Sequence, residues 1–258
     1  MKHGTFKPAI TGKTALVLIL AVLSLNAGAQ SVDFSKTLRT IDERSNFMGK
    51  DFSAKVKLVT EDPEKATDTK VARSFRRDRD DSFLMLFLEP ENQLGQGYLK
   101  AGDNLWFYDP ESRKFTHTSM KENFQGTDAK NSDFGQSSLS TDYKVSASTE
   151  GKLGAFEVWI LDLEAVNNEV TYPFKKLSVS KKDGFLLKSE DYSLSKRLLR
   201  TSYYTSYVRL GDSYIADSVQ YVDALVKGKK TKITITEASI EPLPDSVFTK
   251  AYVERVNR

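Results

Sequence analysis

The sequence predicts one mainly β domain, a large antiparallel sheet with few helices. Three observations carry that prediction. From residue 52 onward, apolar residues recur with period two in short runs, as half-buried strands require. Short turns rich in Gly, Asp, Asn and Pro separate the runs, and such connections join antiparallel neighbours. Only one stretch, near residue 34, carries helical spacing.

The first 29 residues stand apart from that pattern. Lys2, His3, Lys7 and Lys13 form a basic leader, Thr14 to Leu25 is largely apolar, and Ala27-Gly28-Ala29 supplies small residues. The apolar run has 12 residues, too few to span a bilayer. The expectation is a cleaved secretory signal over 1–29 and one domain over 30–258. Without the leader, 35 basic residues face 35 acidic ones. A neutral chain removes the main support for nucleic-acid binding. The sequence contains no cysteine, which excludes disulfides and a lipid-bearing Cys. A soluble, monomeric periplasmic protein is expected.

Taken in order, the chain after the leader opens with a helix. Ser31 is the expected cap, with Phe34, Leu38, Ile41 and Met48 following before Gly49. Phe52, Ala54, Val56 and Leu58 then alternate with polar residues. After a charged loop, Val71 to Phe75 repeats the pattern. Ser82 to Leu88 is apolar on both faces and reads as central in the sheet. Short strands follow at Gly97 to Lys100, Leu105 to Tyr108 and Lys114 to Ser119. Residues 121–142 are polar and irregular. Strands resume at Tyr143, Phe156, Leu177, Phe185, Thr201, Tyr214 and Lys232, with hairpin turns at Asn167-Asn168, Lys181 to Gly184 and Lys227 to Lys230. The total is roughly ten or eleven strands. A sheet of that size curls. Periodicity does not decide whether it closes on its own side chains or stays open around a cavity.

Signatures of catalysis are scarce, and no catalytic residue, metal site or cofactor is assigned. The one histidine after the leader, His117, lies between Thr116 and Thr118 and reads as an ordinary exposed strand residue. Gly95-Gln96-Gly97 lacks the third glycine of a phosphate-binding loop. Arg76-Arg77-Asp78-Arg79-Asp80-Asp81 mixes both signs and reads as a solvated strand end. Large rings are the positive signal: they fill β cores, and apolar cavities draw on the same residue types.

The run Pro90 to Phe134 resembles the LolA-like outer-membrane lipoprotein-sorting proteins. The shared elements are Pro90 after an apolar strand, Gly95-x-Gly97-x-Leu99, the Gly102-Asp103 turn, Leu105-Trp106-x-Tyr108-x-Pro110, and Gly126 through Ser132-Asp133-Phe134. The ending Pro244 to Tyr252 is similar too. The resemblance implies a single open, incomplete antiparallel β-barrel with helices covering its concave apolar face. It implies a carrier of lipid or lipoprotein acyl chains, loaded by an inner-membrane transporter or release complex and unloaded to an outer-membrane acceptor. It also implies an arginine that locks the lid, which the sequence assigns to no one position. Each methylene exposed to water costs about 0.8 kcal/mol, so an ordinary acyl chain faces roughly 10 kcal/mol without a pocket.

Under that reading Phe83, Met85, Phe87, Leu105, Phe107, Trp159 and Leu161 line the cavity, and Phe34, Leu38 and Ile41 form the lid. A slip of one residue in register would turn every strand position to the other face. The competing reading is a lipid-sensing or transporter-accessory module of the same fold, in which a docking surface matters more than a cavity. A periplasmic hydrolase around His117 ranks third.

Overall fold

The computed structural model describes residues 33–256, so the expected signal over 1–29 and the expected cap Ser31 lie outside the described residues. Thirteen strands form one antiparallel sheet that does not close into a barrel. They are β1 (Phe52–Glu61), β2 (Asp68–Arg77), β3 (Ser82–Glu89), β4 (Gly97–Ala101), β5 (Asn104–Asp109) and β6 (Lys114–Thr118), followed by β7 (Tyr143–Leu153), β8 (Phe156–Ala165) and β9 (Phe174–Ser180). The last four are β10 (Leu186–Tyr192), β11 (Leu198–Leu210), β12 (Ser213–Asp223) and β13 (Lys230–Ser239). The count exceeds the expected ten or eleven, although each strand, short β4 and β6 included, overlaps a run named from the sequence.

The order across the sheet is β6-β5-β4-β3-β2-β1-β13-β12-β11-β10-β9-β8-β7. Two meanders therefore join through β1 and β13, which pair from Ser53↔Ser239 to Glu61↔Lys230. β6 and β7 are left at the ends with a neighbour on one side only. Irregular pairing between β11 and β12 at Tyr204/Ser206 and Ser206/Val208 increases local twist and helps the sheet bend. Gly97 is obligatory where β4 meets β3. A Cβ there would lie 2.4 Å from the Met85 carbonyl oxygen.

Helix α1 (Phe34–Ser45) starts at Asp33, whose side chain accepts from the Ser35 amide, and ends at Asn46. Met48, expected on the helix, lies beyond its end and is exposed. Two further helices, α2 (Leu139–Asp142) and α3 (Lys250–Val256), complete the described residues. The alternation in β3 shows how the faces divide. Phe83, Met85 and Phe87 join Val56, Leu58 and Ile233 on the inner face. Leu84 and Leu86 join Val247, Phe248 and Val253 on the outer one. Because the C-terminal segment covers that outer face, β3 is apolar on both sides.

The charged run at 76–81 corrects the sequence reading. It is not simply a solvated strand end: Arg77 and Asp78 are buried. Arg77 makes a two-pronged bond to Asp51, with Nε to Oδ1 at 2.9 Å and Nη2 to Oδ2 at 2.8 Å. It also donates to Asp245 and to the Leu243 carbonyl. The turn before β1, the end of β2 and the C-terminal segment are thereby tied together. Hydrogen bonding from Arg77, reinforced by the Leu243 amide and opposed by burial, holds the Asp51 carboxyl down to about 2.

Two predictions follow from these charges. A carboxylate with a depressed folded pKa gives stability that is present above its unfolded value of about 3.9 and lost as pH falls through the folded one. Asp51→Asn should therefore flatten the dependence of the urea midpoint on pH between about 4 and 2. An unchanged slope would count against the Asp51–Arg77 pair. The second concerns Arg200 on β11, which donates to Asp191 at 2.9 Å and to Asp133 at 2.5 Å. Arg200→Met should cost about 3–5 kcal/mol in urea unfolding, because it strands buried carboxylate charge.

Candidate functional site

Between β6 and α2 the chain makes a long excursion, residues 119–138, across the inner face. The sequence gives it no periodicity, yet it carries core rings. Phe124 is fully buried, with ring centroids 5.3 Å from Phe87, 4.8 Å from Tyr98 and 4.4 Å from Phe134. The excursion thus fills the half of the inner face built from β1 to β5.

Polar bonds fix this filling in place. Asp128 accepts from the Thr231 hydroxyl at 2.9 Å and from Lys229 Nζ at 3.1 Å. Asp133 receives the Arg200 guanidinium, which is packed over the rings of Tyr172 and Tyr221 at 5.0 and 4.4 Å. Burial alone would lower the Arg200 pKa, but Asp133 and Asp191 raise it well above its ordinary value. Burial likewise opposes ionisation of Asp191, and Lys175 and Arg200 nonetheless hold its pKa lowered.

Beside the filled half lies a cavity of about 260 Å³. Its apolar walls come from Ile215 and Val219 on β12, Ile233 and Ile235 on β13, and Leu177 and Leu186 on β9 and β10. Tyr204, Tyr207 and Tyr221 also face it. The Tyr207 hydroxyl donates to the Leu186 carbonyl at 2.6 Å. Burial raises the pKa of Tyr204 and Tyr221, so both remain neutral donors.

The cover over this cavity is α1 together with residues 132–139. Leu38 and Ile41 pack with Leu161, Leu163, Leu177 and Leu186, while Phe34 sits edge-on to Trp159 at 5.3 Å. Polar bonds set the position of the cover. Asp42 accepts from the Ser137 hydroxyl at 2.6 Å and from the Leu139 and Ser140 amides at 2.9 and 2.7 Å. Asn46 exchanges two bonds with the backbone of Ser137. Arg76 Nη2 donates to the Ser45 carbonyl at 2.8 Å, and Asp78 accepts from the Phe47 amide at 2.6 Å.

The structure brings the residues named from the sequence together unequally. Phe83, Met85, Phe87 and Leu105 belong to one buried cluster, with Phe107 packed against it. That cluster is the one the excursion covers. Leu161 and Trp159 belong with the cover helix. Ile41 lines the 260 Å³ cavity, whereas Leu105 lines a second cleft. The walls at Ile215, Val219, Ile233 and Ile235 were not singled out from the sequence. Their alternation in β12 and β13 was the available signal, but attention to large rings points to other strands. His117 is exposed, and its Nε2 accepts from Trp106 Nε1 at 3.1 Å.

Known structures share this architecture. A LolA superfamily protein from Nitrosomonas europaea is 24% identical with a TM-score of 0.74, covering 84% of this chain and 97% of its own. A domain assigned to outer membrane lipoprotein sorting, from Vibrio parahaemolyticus, is 18% identical with a TM-score of 0.75, covering 86% and 98%. A DUF1329 family protein from Desulfovibrio piger is 16% identical with a TM-score of 0.75, covering 85% and 97%. The open sheet with its covered inner face is thus the LolA-superfamily fold. Within it, the chain belongs to the family whose model, described only as an uncharacterized protein, matches residues 79–255. No curated protein matches the chain.

The cover makes a prediction of its own. Asp42→Ala deletes three hydrogen bonds between α1 and residues 137–140. Amide exchange should rise in α1 and residues 137–142 while β1 to β3 stay protected. Uniform loosening of the sheet would show that Asp42 supports the whole fold instead.

Proposed function

We propose that this chain is a soluble periplasmic carrier that holds an acyl chain of a lipoprotein or lipid in the cavity under α1. It would receive that chain from an inner-membrane release complex and pass it to an outer-membrane acceptor. The observation that supports this reading is a cavity under α1, with walls more apolar than polar, on the inner face of a LolA-superfamily fold. Among the described residues, no helix is long and apolar enough to cross a membrane.

The dimensions limit what fits without movement. At about 260 Å³ the cavity falls just below the roughly 300–1,000 Å³ of ordinary small-ligand sites. Part of one hydrocarbon chain fits, and each methylene taken in gains about 0.8 kcal/mol. Fuller loading requires α1 to swing away from Asp42's partners. The Tyr204 hydroxyl, which donates to no protein group among the described residues, faces the cavity and is available to an ester carbonyl.

The small volume also gives weight to a lipid-sensing or transporter-accessory module. A sensor would bind one chain and keep it, while a carrier would release it to an acceptor.

Native mass spectrometry after incubation with palmitate and with lipid vesicles tests the proposal. Co-purifying acyl species are expected from wild type. Ala216→Trp, which places a ring in the cavity, should reduce their yield roughly tenfold with little change in melting temperature. Retention of full binding by this variant would place the hydrocarbon elsewhere.

A further inference from the structure

Two neighbouring turns at one end of the sheet hold aliphatic side chains in water. Leu194, between β10 and β11, is 82% exposed, and Leu225 and Val226, between β12 and β13, are 49% and 40% exposed. β11 and β12 pair through Arg200↔Asp223, and the Ala224 amide donates to the Leu199 carbonyl at 3.0 Å. The two tips therefore stand side by side. Each is braced from within. The Lys196 amide donates to the Ser193 carbonyl at 2.9 Å, and Asp223 accepts from the Leu225 and Val226 amides at 2.6 and 3.0 Å.

Basic side chains accompany the aliphatic ones. Lys196 and Arg197 follow Leu194, Lys227 follows Val226, and all three are exposed. Among the described residues, Arg197 and Lys227 form no ion pair. Lys196 lies 5.0 Å over the Phe174 ring, a contact that leaves its charge uncancelled. Most acids nearby are already engaged. Asp223 holds the turn amides and lies 3.8 Å from Lys229, and Glu61 pairs with Lys230. In the β1–β2 turn, where Pro63 lies against Gly228, Asp62 pairs with Lys65. Across these three turns, Lys196, Arg197 and Lys227 are set against Glu64 alone.

An occupant has to satisfy both features. Separate aliphatic points on turns offer a protein partner no groove, and a nucleic acid gains nothing from them. The headgroup layer of a bilayer yields around such points, while lysine and arginine stems lie along it with their charges among the phosphates. Anionic lipid strengthens the contact through each basic side chain.

We infer that the β10–β11 and β12–β13 tips form a docking surface for an anionic phospholipid bilayer. Leu194, Leu225 and Val226 enter the interfacial layer, and Lys196, Arg197 and Lys227 sit at headgroup level. The inference goes beyond acyl carriage and does not rest on it, since none of these six residues lines the cavity under α1. They also lie away from the end of α1. Phe47, just after that helix, stacks on Phe52 at the start of β1, whereas Lys230 pairs with Glu61 at the strand's other end.

Co-sedimentation with vesicles tests the inference, one set of phosphatidylcholine alone and one containing phosphatidylglycerol. Residues Asp33–Arg258 form one compact unit, and this unit is used so that the basic, apolar leader adds no affinity of its own. Binding should be roughly tenfold tighter to the anionic vesicles and should weaken with salt. Leu194→Ser with Leu225→Ser should weaken it roughly tenfold, as should Lys196→Gln with Lys227→Gln. Lys152→Gln with Lys182→Gln, exposed at other turns, should leave it unchanged. Palmitate binding and melting temperature should stay at wild-type values in all three variants.

No binding to either vesicle set, or equal binding to both, would overturn the docking surface and leave acyl carriage standing. So would an equal loss in the Lys152/Lys182 pair, which would reduce the effect to overall charge. Full binding by the Leu194/Leu225 variant would overturn it too. Dimerisation that Leu194→Ser abolishes, without vesicle binding, would assign the tips to a second copy of the chain instead.

Discussion

Arg200 lies between two tyrosine rings and two carboxylates, and the layout of the inner face follows from that arrangement. Its guanidinium joins β11 to Asp191 on β10 and to Asp133 on the excursion. An unpaired charge at such depth would be strongly unfavourable, so these partners cannot separate cheaply. The excursion is consequently fixed to the sheet, and Phe124 is fixed with it. One half of the inner face is then solid, and open volume survives beside it, under α1.

This arrangement explains what could be read from the amino-acid sequence and what could not. Period-two runs located the strands because each strand buries one face, and alternation is the direct imprint of that burial. Phe83, Met85 and Phe87 share a face for the same reason. Alternation does not say what covers a face. That depends on residues 119–138, whose Phe124 and Phe134 show no periodicity because their burial comes from tertiary contact. Asp133 and Arg200 are 67 residues apart, so neither announces the other. The 76–81 run looked solvated by composition, yet the buried Asp51, 26 residues away, holds Arg77 inside.

The resemblance in residues 90–134 also acquires a physical basis. Gly97 is required by the Met85 carbonyl beneath it. Gly102 takes a positive φ of 56° in the turn between β4 and β5. Asp133 anchors the excursion. These positions specify a tight strand crossing, a hairpin and a buried tether, all parts of the scaffold that frames the cavity. They specify no occupant, which is why shared fold and shared cargo are separate questions.

The fastening of α1 has a consequence for how the molecule moves. Apolar packing tolerates sliding, because contact area changes gradually with displacement. Bonds such as those of Asp42 and Asn46 are short and directional, and an ångström of travel forfeits most of them together. The helix over the chamber should therefore behave as a catch with shut and open positions and little population between, so occupancy would change in jumps, never by slow leakage.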